Sequence, residues 1–113
     1  MSEIPSGDQK RYASKKVLLV EDDEEIRDML SMLLTKHLGT KTVMAPDGRT
    51  ALSVAQSEMP DLILMDLMLP VLDGFQAMSY LRTNEKTKHI PIIAVSNYCW
   101  DFDWKIARWV RDV

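Results

Sequence analysis

The stretch that most constrains the fold of this chain runs from Asp61 to Gly74 and reads DLILMDLMLPVLDG. Its apolar run, Leu62 to Met65, is short and bounded by turn-forming residues, a pattern typical of a strand buried on both faces. The run ends on a single carboxylate, Asp66. In open α/β sheets, ligands bind at the carboxyl edge of the strands. The stretch therefore predicts a functional acid at such an edge.

Apolar runs and helical periodicities alternate along the rest of the chain. Further strands are predicted at Val17 to Val20, Lys41 to Ala45 and Pro91 to Val95. The predicted apolar helix faces are Ile26, Met29, Leu30, Leu33, Leu34 and Leu38; Ala51, Leu52, Ala55 and Met59; Phe75, Met78 and Leu81; and Ile106, Trp109, Val110 and Val113. Gly39 is the predicted C-cap of the first helix and Asp73 the N-cap of the third. The order βαβαβαβα predicts a parallel sheet with helices on both faces.

Composition restricts the classes of protein to which the chain can belong. Its 113 residues, 46% hydrophobic and 27% charged, are typical of one globular domain. Residues 1–15 lack periodicity and are predicted to be a mobile tail before a domain at 16–113. The sequence shows no signal peptide, no membrane-spanning run and one cysteine, Cys99, so a cytoplasmic location is expected. A net charge of −3 gives no indication of direct nucleic-acid binding.

Acidic and hydroxyl residues stand at the ends of three predicted strands. Glu21 and Asp22 follow the first strand, Asp66 ends the third and Ser96 follows the fourth. Carboxylates that converge on one edge suit Mg²⁺, which usually takes one or two carboxylates and keeps several waters. A carboxylate that the cation keeps ionised can act as a nucleophile and form an aspartyl phosphate. The residues thus predict phosphoryl transfer to Asp66, whereas Asp23 to Glu25 are interpreted as a helix start.

The segments VLLVEDDEEIRDML, DLILMDLMLPVLDG and PIIAVS together resemble the receiver domain of two-component response regulators. The spacing is similar as well, because Asp66 lies 44 residues after Asp22 and 30 residues before Ser96. The resemblance extends from about Lys16 to Ser96. It implies a flavodoxin-like, doubly wound α/β fold, whose full strand order is 2-1-3-4-5.

The resemblance also implies a role for each residue of the site. Asp66 is the expected phosphoacceptor, Asp22 a direct Mg²⁺ ligand, and Glu21 a support for the metal, partly through water. Met68 would contribute its backbone carbonyl, and Ser96 would be the switch hydroxyl that bonds a phosphoryl oxygen. The implied function is that of a phosphoacceptor and switch domain in a His-to-Asp phosphorelay, not a classical enzyme. Its implied partner is a sensor histidine kinase or a phosphotransfer protein.

The resemblance stops before the fifth strand, which ends in Lys-Pro in the family, and before the fifth helix. A receiver shortened at its C-terminus, with strand order 2-1-3-4, is therefore expected. Lys105 lies within a helical pattern and has no proline after it, so it is not expected to replace the missing lysine. The fourth strand would have a free apolar edge, and self-association through that edge is expected.

Two other functions remain as alternatives. A receiver-like adaptor that acts through protein contacts without phosphate is favoured by the missing lysine and opposed by the intact acids and hydroxyl. A Mg²⁺-dependent hydrolase resembling the haloacid dehalogenase group would need a second acid two residues after the nucleophile, where Met68 stands. His37 and His89 are isolated and are predicted to be surface residues.

Overall fold

The structure, a computed structural model, describes residues 13–66 and 74–95. In these ranges, strands and helices alternate in the order β1 (Lys16–Val20), α1 (Glu24–Leu38), β2 (Lys41–Ala45), α2 (Gly48–Glu58), β3 (Leu62–Asp66), α3 (Gly74–Thr83) and β4 (Ile92–Val95). The strands pair in parallel in the order β2-β1-β3-β4. The predicted α/β class and the 2-1-3-4 order of a flavodoxin-like sheet are confirmed. The predicted tail helix and the Asp73 cap lie outside the described residues. The stretch after β4, for which the sequence predicts no fifth strand, lies outside them as well.

The core of the described part lies between the sheet and the pair α2 and α3. Alternate residues of the central strands, such as Leu18 and Ile63, are fully buried there. From the helices, Ala51, Ala55 and Ala77 bring the backbone close to the sheet because their side chains are small. Burial on both faces explains why β1 is a continuous apolar run, whereas β3 is buried on its core face and half-buried on the other.

Helix α1 begins and ends where the sequence predicts. The Asp23 carboxylate accepts hydrogen bonds from the N–H groups of Glu25 and Ile26, at 3.0 and 3.2 Å. Gly39 adopts a φ of 70°, and its N–H donates to the Thr35 carbonyl. The helix-start interpretation of the acids is thus confirmed. The predicted apolar face, in contrast, is only half covered, since no residue of α1 is buried and Met29 and Leu33 are exposed.

The predicted apolar faces of α2 and α3 were each wrong at one residue. Met59 does not continue the apolar face of α2, because the helix ends at Glu58 and Met59 is its C-cap, with a φ of 46° and 45% of its surface exposed. Phe75 of α3 is exposed, whereas Met78 and Leu81 of the same predicted face are buried. A helical period identifies a face, but the neighbouring elements decide how much of that face is covered.

The cap at Met59 predicts a stabilising substitution. A side chain with a Cβ atom costs about 1–2 kcal/mol in the left-handed region, and glycine avoids this cost. We expect Met59→Gly to raise the free energy of unfolding by about 0.5–1 kcal/mol, since the glycine also loses more entropy on folding. Chemical denaturation measures the change. Met59→Ala removes the same exposed side chain but keeps Cβ, so an equal gain in that variant would contradict the explanation.

Candidate functional site

The pairing of β1 with β3 builds the site. Val20 lies opposite Met65 in this parallel pair. Glu21 and Asp66, which follow these two residues, therefore come together at the carboxyl edge. The Glu21 N–H donates to the Ala45 carbonyl at 3.1 Å and so extends the contact of β1 with β2 by one residue. Carboxylate oxygens of Glu21, Asp22 and Asp66 all lie within 4.8 Å of one another. The three predicted acids are therefore in one place.

The three acids differ in their exposure to solvent. Glu21 and Asp66 expose only 5% and 3% of their surface, whereas Asp22 is exposed. Two hydrogen bonds fix the position of Glu21. The Asp23 N–H donates to its Oε1 at 3.2 Å, and an Arg27 guanidinium N–H donates to its backbone carbonyl at 3.1 Å. The site is thus a buried pair of carboxylates with a third carboxylate at the solvent side.

The surroundings of Glu21 shift its pKa. Burial raises the pKa of Glu21 to about 7, from an ordinary value of 4.5. The Asp23 N–H works against this rise, while the negative charge of Asp66, a hydrogen bond to it and the charge of Asp22 add to the rise. In the absence of a cation, Glu21 of the folded protein therefore begins to take up a proton at a much higher pH than an ordinary carboxyl group does.

The geometry and chemistry of the donor set fit a small, hard cation. Mg²⁺ binds oxygen at about 2.0–2.1 Å, so ligands on opposite sides of it lie about 4.2 Å apart. The 4.8 Å limit on the spacing of the three oxygens is close to that value. Glu21, Asp22 and Asp66 could thus hold one divalent cation, and its charge would relieve the repulsion that raises the pKa of Glu21.

The structure places only part of the predicted site. Ser96 and Met68 lie outside the described residues, so their predicted roles are not tested. Val95, which precedes Ser96, is paired with Asp66 in the β3–β4 register. Sequence reasoning did not identify Arg27, whose contact with the Glu21 carbonyl arises when the first turn of α1 folds back on the end of β1. No motif in the sequence signals that contact.

A parallel α/β sheet with an acidic cluster at the carboxyl edge of its central strands is the architecture of a receiver-type signalling domain. The family model described as the response regulator receiver domain matches residues 17–105. The chain therefore belongs to the response regulator receiver domain family. Receiver domains in general act as signalling switches, not as classical enzymes, and interact with histidine kinases or phosphotransfer proteins.

Similar proteins support this assignment. The polar-differentiation response regulator DivK of Brucella ovis is 37% identical over 99 residues, which cover 84% of this chain and 76% of DivK. The receiver domain of the sensor histidine kinase PA1611 from Pseudomonas aeruginosa, solved with a magnesium ion in its active-site cleft, is 33% identical with a TM-score of 0.71, over 81% of this chain and 75% of that one. The Mn²⁺-bound response regulator Rcp1 is 26% identical with a TM-score of 0.73, over 86% and 76%.

Among the described residues, none of the helices has the length and apolar composition needed to cross a bilayer. The longest, α1, has 15 residues and carries acids in its first turn.

The pKa of Glu21 predicts how the stability of the metal-free protein depends on pH. Because the folded value of about 7 lies above the ordinary 4.5, the stabilisation from the bound proton is complete below pH 4.5 and is lost as the pH rises through 7. We expect Glu21→Gln, in the presence of EDTA, to abolish that loss. At pH 8 the variant should be more stable than the parent by about 1–3 kcal/mol, and at pH 5 the two should be similar.

Urea denaturation at the two pH values measures this difference. Glu25→Gln is the matched control, because Glu25 is an exposed acid in the first turn of α1 and lies outside the cluster. A gain in Glu25→Gln equal to that in Glu21→Gln would show that general charge reduction, and not the buried cluster, causes the effect.

Proposed function

We propose that this chain is the phosphoacceptor and switch domain of a His-to-Asp phosphorelay, formed by residues 16–113 after a tail at 1–15, and that Asp66 is the phosphoacceptor. The observation that carries the proposal is the position of Asp66, buried at the carboxyl end of a central strand with the oxygens of Glu21 and Asp22 within 4.8 Å. Membership of the receiver family supports it. The proposal retains the cytoplasmic location expected from the sequence.

The proposed metal ligands are Asp22 and Asp66 directly, Glu21 partly through water, and the Met68 backbone carbonyl. Asp22 is exposed, so it can exchange a water-bound cation with solvent, while Glu21 and Asp66 form the buried wall. A bound Mg²⁺ supplies the positive charge that lets the carboxylates stay ionised together and that balances the phosphoryl oxygens. The PA1611 receiver domain holds magnesium in its cleft, which favours the same ion here.

In the proposed reaction, one oxygen of the ionised Asp66 attacks the phosphorus of a phosphohistidine on the partner. The new O–P bond forms as the P–N bond breaks, and the departing imidazole nitrogen keeps the bonding electron pair and takes a proton from water. Positioning and charge do most of the work in this class of reaction. Ser96 is proposed to donate a hydrogen bond to a phosphoryl oxygen of the product.

The surface next to the site supports a protein as the phosphodonor. Helix α1 starts beside the acids and exposes Met29, Met32 and Leu33, which lie three and four residues apart on one face. Exposed apolar clusters that are rimmed by polar residues mark protein contact sites. A partner that docks on this face would have its phosphohistidine close to the carboxyl edge of the sheet.

Metal binding is the first test of the proposal. We expect Mg²⁺ to stabilise the protein by about 2.7 kcal/mol when its free concentration is a hundred times the dissociation constant. Asp22→Asn should bind Mg²⁺ more weakly and lose most of this gain at the same concentration. Thermal unfolding over a Mg²⁺ titration measures both. Asp28→Asn is the control for net charge, because Asp28 is an exposed acid of α1 outside the cluster, and this variant should behave as the parent.

Phosphorylation is the decisive test. With Mg²⁺ and radiolabelled acetyl phosphate, we expect the parent protein to gain one acid-stable, base-labile acyl phosphate and Asp66→Asn to gain none. Removal of Mg²⁺ by EDTA should abolish labelling of the parent. Asn keeps the volume of Asp, and circular dichroism confirms that the variant is folded. Asp28→Asn should be labelled like the parent.

Two results would contradict the proposal in different ways. Labelling of Asp66→Asn at the level of the parent would place the phosphoryl group on another residue. A folded parent protein that binds Mg²⁺ but accepts no label would support the alternative, a receiver-like adaptor that acts through protein contacts.

A further inference from the structure

Two of the acids of the site lie in the short connection between β1 and α1. Residues 21–23 join the end of the strand to the first residue of the helix. Glu21 is buried and is anchored to the sheet, because its N–H donates to the Ala45 carbonyl at 3.1 Å. Asp22, the next residue, is exposed at the solvent side of the cluster. The position of the Asp22 carboxylate therefore depends on the backbone of this connection.

Arg27 binds the connection on both sides of Asp22. Its backbone N–H donates to the Asp23 carbonyl at 2.9 Å, and its guanidinium group donates to the Glu21 carbonyl at 3.1 Å. The first bond is the ordinary helical bond between residues four apart. The second joins residues six apart and requires the side chain to fold back over the first turn of α1. One residue of the helix thus closes a hydrogen-bonded ring that contains Asp22.

The bond to the Glu21 carbonyl restrains the direction in which Asp22 projects. A peptide unit is planar, so the Glu21 carbonyl, the Asp22 N–H and the Asp22 Cα lie in one plane. A donor that holds the carbonyl oxygen therefore limits rotation of the whole plane. The Asp23 N–H, which donates to Oε1 of Glu21 at 3.2 Å, restrains the following peptide unit in the same way. Both peptide units that flank the Asp22 Cα are thus held.

The chemistry of arginine suits this contact. The bond to the carbonyl is partly buried, and a charged donor makes a hydrogen bond that is roughly twice as strong as a neutral one. The bond ends on a backbone oxygen, so it brings positive charge to the acidic cluster without using a carboxylate oxygen that could bind a cation. Arg27 can therefore stabilise the arrangement of the acids and leave their metal-binding atoms accessible.

We propose that Arg27 is a positioning residue of the metal site, which holds the β1–α1 connection so that the Asp22 carboxylate stays beside those of Glu21 and Asp66. This inference rests on the proposed binding of Mg²⁺ by the three acids. Arg27 acts through the backbone of the ligands and not on the cation itself. Loss of a group that orients metal ligands weakens metal binding about 10- to 100-fold. Removal of the guanidinium group should reduce the affinity for Mg²⁺ to a similar extent.

A purely structural role of Arg27 leads to a different expectation. A contact that only supports the fold changes the unfolding equilibrium constant, while the folded protein keeps the Mg²⁺ dissociation constant of the parent. A contact that positions Asp22 changes the dissociation constant of the folded protein. The two roles are separated when Mg²⁺ binding is measured at a temperature at which each variant is fully folded, as circular dichroism and urea denaturation establish.

Isothermal titration calorimetry of the full chain with Mg²⁺ makes this measurement. Arg27→Met removes the charge and the donors but keeps a long apolar side chain, and we expect the dissociation constant to rise about 10- to 100-fold. Arg27→Lys keeps a charged donor, and we expect its dissociation constant to lie closer to that of the parent than to that of Arg27→Met. Arg49→Met is the control for charge, because Arg49 is exposed in the first turn of α2, and it should bind as the parent.

A double-mutant cycle tests whether Arg27 acts through Asp22. Asp22→Asn removes the carboxylate that the contact is proposed to hold in place. In that background, Arg27→Met should raise the dissociation constant by a much smaller factor than in the parent, so the two effects should be non-additive. Additive effects would show that Arg27 acts on the site by a route that does not include the Asp22 carboxylate.

Three results, each with a parent protein that binds Mg²⁺, would overturn this inference alone. They are equal affinity of the parent and Arg27→Met, an equal loss of affinity in Arg27→Met and Arg49→Met, and additivity in the cycle. A parent protein that binds no Mg²⁺ would overturn the proposed metal site as well. The titration of the parent therefore distinguishes failure of the positioning role from failure of the proposed function.

Discussion

The parallel register between β1 and β3 is the constraint on which the rest of the structure depends. Since Val20 pairs with Met65, the next residues, Glu21 and Asp66, reach the same edge of the sheet. Two acids that are 45 positions apart in the sequence thus become neighbours. A slip by one residue would turn the apolar side chains of β3 to the opposite faces and would separate Glu21 from Asp66. Burial of β1 on both faces and of the core-facing residues of β3 fixes the register, so the core of the fold and the site have one cause.

The burial of acidic side chains at the site is electrostatically unfavourable in the absence of a cation. Glu21 and Asp66 are buried beside each other, and burial together with the neighbouring negative charges raises the pKa of Glu21. A cluster of this kind weakens the metal-free fold at neutral and higher pH, and the same crowding is what makes a divalent cation favourable there. Backbone donors, such as the Asp23 N–H, hold Glu21 in place without neutralising it. The contribution of these acids to stability is thus tied to occupancy of the site.

The sheet also explains which surfaces are open to other contacts. Within residues 13–66 and 74–95, the sheet face under α2 and α3 holds the buried core, whereas on the α1 side Leu64 of β3 is half-buried and Ile93 of β4 is exposed. The apolar residues of α1 include two groups with different exposure. Met29 and Met32 are exposed to solvent, while Leu34 and Leu38 are half-buried and line a cleft that faces β3.

Much of this architecture is readable from local patterns. Apolar runs identify β1, β3 and β4, and the alternation of Val43 and Ala45 identifies β2 more weakly. Asp23 and Gly39 mark the ends of α1. The positions of Glu21, Asp22 and Asp66 at strand ends predict that they meet. These features depend on periodicity, turn chemistry and the common edge of a parallel sheet, which are properties of short segments. The predictions for Met59 and Phe75 failed for the converse reason, because coverage of a helix face is set by distant elements.

The sequence by itself determined the class of fold, the order of its elements and the identity of the acids at the carboxyl edge. Only the tertiary structure decided how deeply those acids are buried, that the Arg27 side chain reaches the Glu21 carbonyl, and that Ile93 of β4 stays half exposed. The physical reason is that periodicity and capping are encoded within a few neighbouring residues, whereas burial and its effect on a pKa depend on which other elements cover a residue.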